Sequence, residues 1–235
     1  MKVSLVIPAY NEGEIIRETL RAADEYMSRE FADYEIIAVD DGSTDNTAEL
    51  LSQLVSDKLI APGYAKNRGK GFAVRTGVLA ATGDIIVCTD ADLAYGLEVI
   101  GTAVRMLAAS DVRLVVGSRR VRGGGYGSYP PIRRLASQCF SLVRYIASGL
   151  PYDTQCGFKC FEAATARELF SACVEESFAF DFEIMLAARR GGVAIEQLPV
   201  TIVNHRSSNV RLLHDSVRTL RAIAAIKRRM RRRTA

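Results

Sequence analysis

The sequence predicts an α/β protein: a single domain built on a mostly parallel sheet with helices on both faces. Three observations lead there. Short β-branched runs alternate along the chain with helix-patterned segments, as expected where crossover helices connect parallel strands. The 235 residues can bury one substantial core. Finally, the polar clusters Pro8–Glu12, Asp40–Ser43 and Asp90–Asp92 each follow an apolar run, and open α/β sheets bind ligands beyond the carboxyl ends of their strands.

Taken in order, Val3–Ile7, Glu35–Val39, Asp84–Thr89 and Arg113–Gly117 are rich in Val and Ile and read as buried strands. Between them, Glu12–Met27, Asp45–Val55, Gly71–Ala81 and Leu97–Ala108 place apolar residues at helical spacing. The stretch Arg120–Tyr129 (RVRGGGYGSY) is glycine-rich, basic and unpatterned, and predicts a loop over the site. A helical pattern resumes at Ile132, with Leu135, Cys139, Val143 and Ile146 on one stripe and Arg133, Ser137, Ser141 and Arg144 on another, until Gly149 and Pro151 end it. Phe158–Phe161 and Val193–Val203 read as later strands, with Phe180–Arg190 a helix between them. The expected division is a domain over 1–205, followed by a C-terminal amphipathic helix and basic tail over 206–235.

Apolar residues make up 49% of the chain and charged ones 25%, the balance of a globular domain rather than a disordered one. No apolar run reaches the length of a membrane span, and the chain enters a strand at once, without a signal-peptide core. Both point to a cytoplasmic protein. The five cysteines form no C-x-x-C pair, and no histidine accompanies Cys156 and Cys160; buried, reduced thiols are expected rather than zinc ligands. His205 and His214 are read as surface or capping residues.

Chemistry concentrates in three places. Asp90-Ala91-Asp92 puts two carboxylates at the end of the strand DIIVCT, able to hold a divalent metal, Mg²⁺ or Mn²⁺, while leaving positions open for a diphosphate. Asp40-Asp41-Gly42-Ser43 offers acceptors for a base edge or ribose hydroxyls; an Asx-turn and a helix cap near Ser43 or Thr44 would use the same residues. Lys66–Gly71 (KNRGKG), with Lys70 at its end, sets cations and glycines before a helix whose N-terminus favours an anion. Neither G-x-G-x-x-G nor G-x-x-x-x-G-K-[ST] occurs there, against a dehydrogenase or an ATPase.

In sequence order, VIPAYNE (Val6–Glu12), AVDDGSTDNT (Ala38–Thr47), NRGKGFAVRTG (Asn67–Gly77), the Asp90–Asp92 motif, VGSR (Val116–Arg119), DTQCGFK (Asp153–Lys159) and FAFDFE (Phe178–Glu183) resemble the motifs of family 2 glycosyltransferases. Within that family the chain most resembles the dolichyl- or polyprenyl-phosphate β-glucosyltransferases, with the mannosyltransferases as near relatives. The resemblance covers roughly Val3 to Val203. It implies a GT-A fold with a Rossmann-like sheet, a nucleotide-sugar donor and a polyprenyl-phosphate acceptor.

By the same resemblance, Pro8, Ala9, Tyr10 and Glu12 form the nucleoside loop, and Asp40 partners the base with Asp41 beside it. Asp90 and Asp92 hold the metal, while Arg119, Arg133 and Ser137 bind the acceptor phosphate. From the chemistry rather than the resemblance, Asp153 is read as orienting the acceptor or steadying charge on the sugar; Asp181 and Glu183 either share that role or, since residues two apart do not share a helix face, divide into one inward and one solvated group. Leu93 and Ala94 depart from both branches, since glucosyl relatives read DADG and mannosyl relatives carry glutamine at position 94. The expected reaction is inverting transfer of glucose from UDP-glucose to the lipid phosphate; GDP-mannose as donor, or a sugar as acceptor, are the alternatives.

The tail adds a second expectation. Val210, Leu213, Val217, Leu220 and Ala224 form an apolar stripe beside Arg211, His214, Arg218, Arg221, Arg228 and Arg232, a pattern suited to a helix lying on an anionic bilayer. The enzyme is therefore expected to associate peripherally with the cytoplasmic face of a membrane. A nucleic-acid partner is not expected, because it would leave the Asp90–Asp92 and Asp40–Ser43 clusters without a role.

Overall fold

The computed structural model describes residues 1–125, 149–154, 156–204 and 212–233. The strands are β1 (Val3–Ala9), β2 (Tyr34–Asp40), β3 (Leu59–Ile60), β4 (Ile85–Cys88), β5 (Leu114–Ser118), β6 (Lys159–Glu162) and β7 (Ile195–Pro199). The helices are α1 (Ile16–Glu30), α2 (Thr47–Leu54), α3 (Lys70–Ala80), α4 (Glu98–Ala108), α5 (Ala163–Ala172), α6 (Phe180–Arg190) and α7 (Leu212–Arg233). Among the described residues one seven-stranded sheet runs β3-β2-β1-β4-β6-β5-β7. Its pairings are parallel except at β6, which runs antiparallel to both β4 and β5.

Alternate residues of each strand feed opposite faces, so buried strands carry two apolar sides. Val3, Leu5 and Ile7 of β1 join a cluster completed by Ile16, Leu20, Ala23 and Met27 of α1 and by Ile100, Ala103 and Val104 of α4. Val6, with Ile37 and Val39 of β2, joins the opposite cluster under α3, α5, α6 and α7. Each fully buried Leu, Ile or Val contributes about 1.5–3 kcal/mol, so the expected three-layer sandwich is the arrangement that dries both sides of the sheet.

The structure shifts several expected boundaries. Helix α1 begins at Ile16 rather than Glu12, because the Glu12 carbonyl already accepts from the amides of Ile15 and Ile16 in a tight turn. Helix α2 begins at Thr47; Ser43 and Thr44 do not cap it but bond to the β1 loop. The strand expected over Val193–Val203 narrows to Ile195–Pro199, with Thr201 held only through an isolated bridge to Gly125. The two-residue β3 and helix α5 were not foreseen.

The order β3-β2-β1 on one side and β4 on the other makes the gap between β1 and β4 the switch point of the sheet. The ends of β1, β2, β4 and β5 and the start of β6 share that edge.

Cys88, Cys156, Cys160 and Cys173 are buried free thiols, as expected. Among the described residues no helix is long and apolar enough to cross a membrane. Along α7, Ile223 and Ile226 are buried against the domain while Ala224, the last residue of the expected apolar stripe, is exposed; the side chains of Leu213, Val217 and Leu220 lie outside the described residues. The part of the Arg120–Tyr129 loop after residue 125, the expected helix from Ile132 with Arg133, Ser137, Cys139 and Arg144, and His205 and Val210 at 205–211 lie outside the described residues.

Candidate active site

The loop after β1 and the loop after β2 are laced together. Asn11 adopts a left-handed φ of 55°, a conformation asparagine tolerates better than most residues. Its Oδ1 accepts from the Thr44 amide at 2.8 Å, and its own amide donates to Ser43 Oγ at 3.0 Å. The Glu12 amide donates to Thr47 Oγ1 at 2.9 Å and that of Gly13 to Asp45 Oδ2 at 3.0 Å. Pro8 and Ala9 sit in β1, and Tyr10 projects from its end with 43% of its surface exposed.

Asp40 is buried at the end of β2, with Oδ1 accepting from the Ser43 amide at 3.1 Å. Beside it lies a cavity of about 420 Å³ lined by Ser43, Leu51, Ser52, Gly63 and Tyr64. Gly63 packs against this carboxylate: a Cβ there would stand 3.0 Å from that of Asp40.

Asp41 has a different task from its neighbour. Its carboxylate accepts from Tyr64 Oη at 2.6 Å, Asn67 Nδ2 at 2.9 Å and the Arg68 amide at 3.0 Å. The Gly69 amide adds a further bond at 3.1 Å. A buried acceptor with this many donors fixes the 64–69 loop onto the end of β2. Burial, and then the contact with Asp41, push the Tyr64 phenol pKa upward, so it stays a donor. The α3 N-terminus, expected to receive an anion, is already capped: the Glu176 carbonyl accepts from the amides of Gly71 and Phe72.

Asp90 and Asp92 stand at the end of β4. Burial, and then the charge of Asp90, raise the pKa of the Asp92 carboxyl, and Asp92 Oδ1 accepts from the Ala94 amide at 3.0 Å. Leu93, the residue after Asp92, has a left-handed φ of 48°, which turns the chain sharply after the strand. Lys70, the first residue of α3, pairs its ammonium with Asp90 Oδ1. Burial alone would lower the Lys70 pKa, but the charges of Asp90, Asp181 and Asp92 raise it overall. Gly157 presses on the same carboxylate, since a Cβ there would lie 2.1 Å from Asp90 Oδ2.

Asp90 and Asp92 are hard oxygen donors with crowded negative charge, and a cationic ammonium already stands against one of them. That donor set suits Mg²⁺ or Mn²⁺. Among the described residues no group of three or more His, Cys, Asp and Glu side chains converges on one point, so the two carboxylates would need ligand oxygens to complete a shell.

Arg119 follows β5 and meets Asp153 through two side-chain bonds, Nε to Oδ2 at 2.8 Å and Nη2 to Oδ1 at 2.9 Å. The forked geometry fixes the guanidinium plane. Asp153 is thus the partner of Arg119 rather than an isolated carboxylate. Arg133 and Ser137, expected beside them, lie outside the described residues.

One of the two readings of Asp181 and Glu183 on α6 has a single inward and a single solvated carboxylate, because residues two apart do not share a helix face. Both are buried, Asp181 at 5% and Glu183 at 2% exposure, since the first two turns of α6 are enclosed on every side. Asp181 pairs with Lys159. Glu183 accepts from the amides of Val174 and Glu175 and from Arg229 of α7, which makes it a structural staple. Tyr64, Gly157 and Lys159 were missed as site residues; the last two lay inside the quoted DTQCGFK motif, but no spacing rule connects them to Asp90.

Comparison with known proteins gives concordant results. The model for Glycosyl transferase family 2 matches residues 4–169. The chain is similar to a dolichyl-phosphate β-glucosyltransferase of Trichomonas vaginalis, 33% identical over 211 residues, spanning 84% of this chain and 62% of that protein. It therefore spans less than two thirds of that relative's length. The Saccharomyces cerevisiae dolichyl-phosphate β-glucosyltransferase is 30% identical over 248 residues, covering 96% of this chain and 74% of the yeast protein. Among solved structures, mannosyl-3-phosphoglycerate synthase from Rubrobacter xylanophilus superposes with a TM-score of 0.68 at 21% identity, over 100% of this chain and 75% of that one. Glucosyl-3-phosphoglycerate synthase from Mycobacterium tuberculosis, in complex with Mn²⁺, UDP-glucose and glycerol 3-phosphate, superposes with a TM-score of 0.66 at 20% identity, over 95% and 78%. At these identities the structural likeness concerns the fold alone.

Proposed function

The chain belongs to glycosyl transferase family 2 and has the GT-A fold, and from that premise we propose that it moves glucose from UDP-glucose to a polyprenyl phosphate of the dolichyl type, inverting the anomeric centre. The observation that carries the reading is the meeting of three features at one sheet edge: the cavity beside Asp40, the Asp90 and Asp92 pair, and the forked Arg119–Asp153 contact. The glucosyl and dolichyl-phosphate terms in the names of the two curated relatives support the choice of donor sugar and acceptor.

In this reading Pro8, Ala9, Tyr10 and Glu12 flank the nucleoside, and the base enters the cavity to donate to Asp40. Asp41 keeps the 64–69 loop in place, which presents Lys70 to the diphosphate. Asp90 and Asp92 would hold Mg²⁺ or Mn²⁺, which neutralises charge developing on the departing nucleoside diphosphate. Arg119 is set by Asp153 to receive the acceptor phosphate, with Arg133 and Ser137 completing that subsite.

A lipid phosphate monoester carries about −1.5 to −2 charge at neutral pH and is already nucleophilic. The protein therefore needs no strong general base; it must hold two anionic groups in line and offset their repulsion. Attack opposite the leaving group through an oxocarbenium-like state gives inversion.

A lipid acceptor also places the work at a membrane surface. Arg221 and Arg228 of α7 are exposed and would face anionic headgroups at about 1 kcal/mol each. Ile223 and Ile226 are committed to the domain interior, so that attachment is electrostatic rather than by insertion of this segment. The acceptor assignment is tested by following UDP release from UDP-glucose with a short polyprenyl phosphate, 3-phosphoglycerate or glucose offered separately. Release only with the polyprenyl phosphate is expected; release only with either soluble acceptor would overturn it.

A further inference from the structure

Lys159 and Asp181 form an ion pair at 2.5 Å whose side chains are 2% and 7% exposed. Burying two charges costs desolvation, and such pairs seldom outperform well-packed apolar side chains, so stability alone does not account for their presence. What they touch gives a better reason. The Lys159 ammonium also donates to the Cys156 carbonyl at 2.7 Å, and the next residue, Gly157, is the one that presses on Asp90 Oδ2. On the other side of Asp90, Lys70 grips Oδ1.

We propose that the Lys159–Asp181 pair is a positioning device for Asp90: Asp181 holds the Lys159 ammonium, and Lys159 fixes the Cys156–Gly157 backbone against one carboxylate oxygen. The pair joins DTQCGFK to FAFDFE, two motifs far apart in sequence, and gives both a role at the donor site without contact with substrate. The inference rests on the reading of Asp90 as a donor-site metal carboxylate given under Proposed function.

The test separates positioning from plain structure. Lys159→Met and Asp181→Leu are made singly and together in the full chain; melting temperature and Mn²⁺ binding in the presence of UDP, by electron paramagnetic resonance, are then measured. Each single variant is expected to melt lower, because it strands a buried charge, and the double variant to regain most of that loss. The Mn²⁺ dissociation constant of the double variant should nonetheless stay raised by about 10–100-fold, the usual effect of losing a group that orients a metal ligand. A double variant with both values like wild type would overturn the proposal. Should it fail to fold, Lys159→Gln decides, since it keeps much of the volume but removes the ammonium held between Asp181 and the Cys156 carbonyl: an unchanged Mn²⁺ constant there also overturns the proposal. If wild type binds no Mn²⁺ with UDP, the donor-site reading itself falls and this inference with it, whereas wild-type binding beside unaffected variants removes this inference alone.

Discussion

Replacing Gly157 with alanine would place a methyl carbon 2.1 Å from Oδ2 of Asp90, 2.7 Å from its Cγ and 2.9 Å from Oδ1. Ordinary contact begins at 3.4 Å, so the carboxylate must retreat by more than an ångström. It has somewhere to go, because the Asp90 side chain is 28% exposed. The fold should therefore survive, with a loss within about 1 kcal/mol. Catalysis should not survive so well: a misplacement of about 1 Å in a catalytic group costs on the order of 10²-fold, equivalent to about 2.7 kcal/mol of activation free energy. Turnover of UDP-glucose at saturating polyprenyl phosphate, over a Mn²⁺ titration and beside a circular-dichroism melt, reads both quantities. Turnover within threefold of wild type, in a variant with an unchanged melt, would refute the claim that the Gly157 backbone sets the position of Asp90.

Asp92→Ala should abolish metal-dependent transfer while leaving the melting curve in place, and retained turnover would remove Asp92 from the metal site. Asp41→Asn sets an amide against the donors of Asn67, Arg68 and Gly69; it should cost about 2 kcal/mol in urea unfolding and raise the KM for donor. Ile226→Ala, at a position with 0% exposure, should cost about 2–5 kcal/mol, whereas a helix serving only as a membrane contact would leave stability unchanged. The last prediction concerns pH. Burial raises the pKa of Glu35, but bonds from Ser4, Lys2 and Thr82 together bring it down to about 2 from 4.5. Because the folded value is the lower one, this contribution is present above pH 4.5 and is lost as pH falls towards 2. Glu35→Gln should be less stable at pH 7 and show a flatter loss across that window in urea unfolding; parallel curves for the two proteins would contradict it.

The sheet was legible because buried strands are written plainly in runs such as VSLVI and EIIAV, and the alternation of strands and helices constrains the rest. The reversed direction of β6 was not legible: KCFE carries no mark that distinguishes an antiparallel strand from a parallel one. Helix starts were misplaced where side chains bonded across loops, as Ser43 and Thr44 do with Asn11, instead of capping their own helix. At the site, Asp40, Asp90, Asp92 and Arg119 could be named because each follows an apolar run directly. The division of labour between Asp40 and Asp41 could not, since it depends on a loop more than 20 residues away reaching back to the second carboxylate. The same holds for Asp153 with Arg119 and for Asp181 with Lys159, whose pairing arises only once β5, β6 and α6 are packed. The helix-face rule failed on α6 because it presumes a helix with a solvent side.

Transfer of label from radioactive UDP-glucose, and separately from GDP-mannose, to a short polyprenyl phosphate, with and without Mg²⁺ or Mn²⁺, decides whether the proposed reaction occurs. Lipid-extractable label from UDP-glucose is expected, dependent on the metal and absent when EDTA is added. Label from GDP-mannose alone would contradict the donor assignment, and no label in lipid from either donor would contradict the proposed reaction.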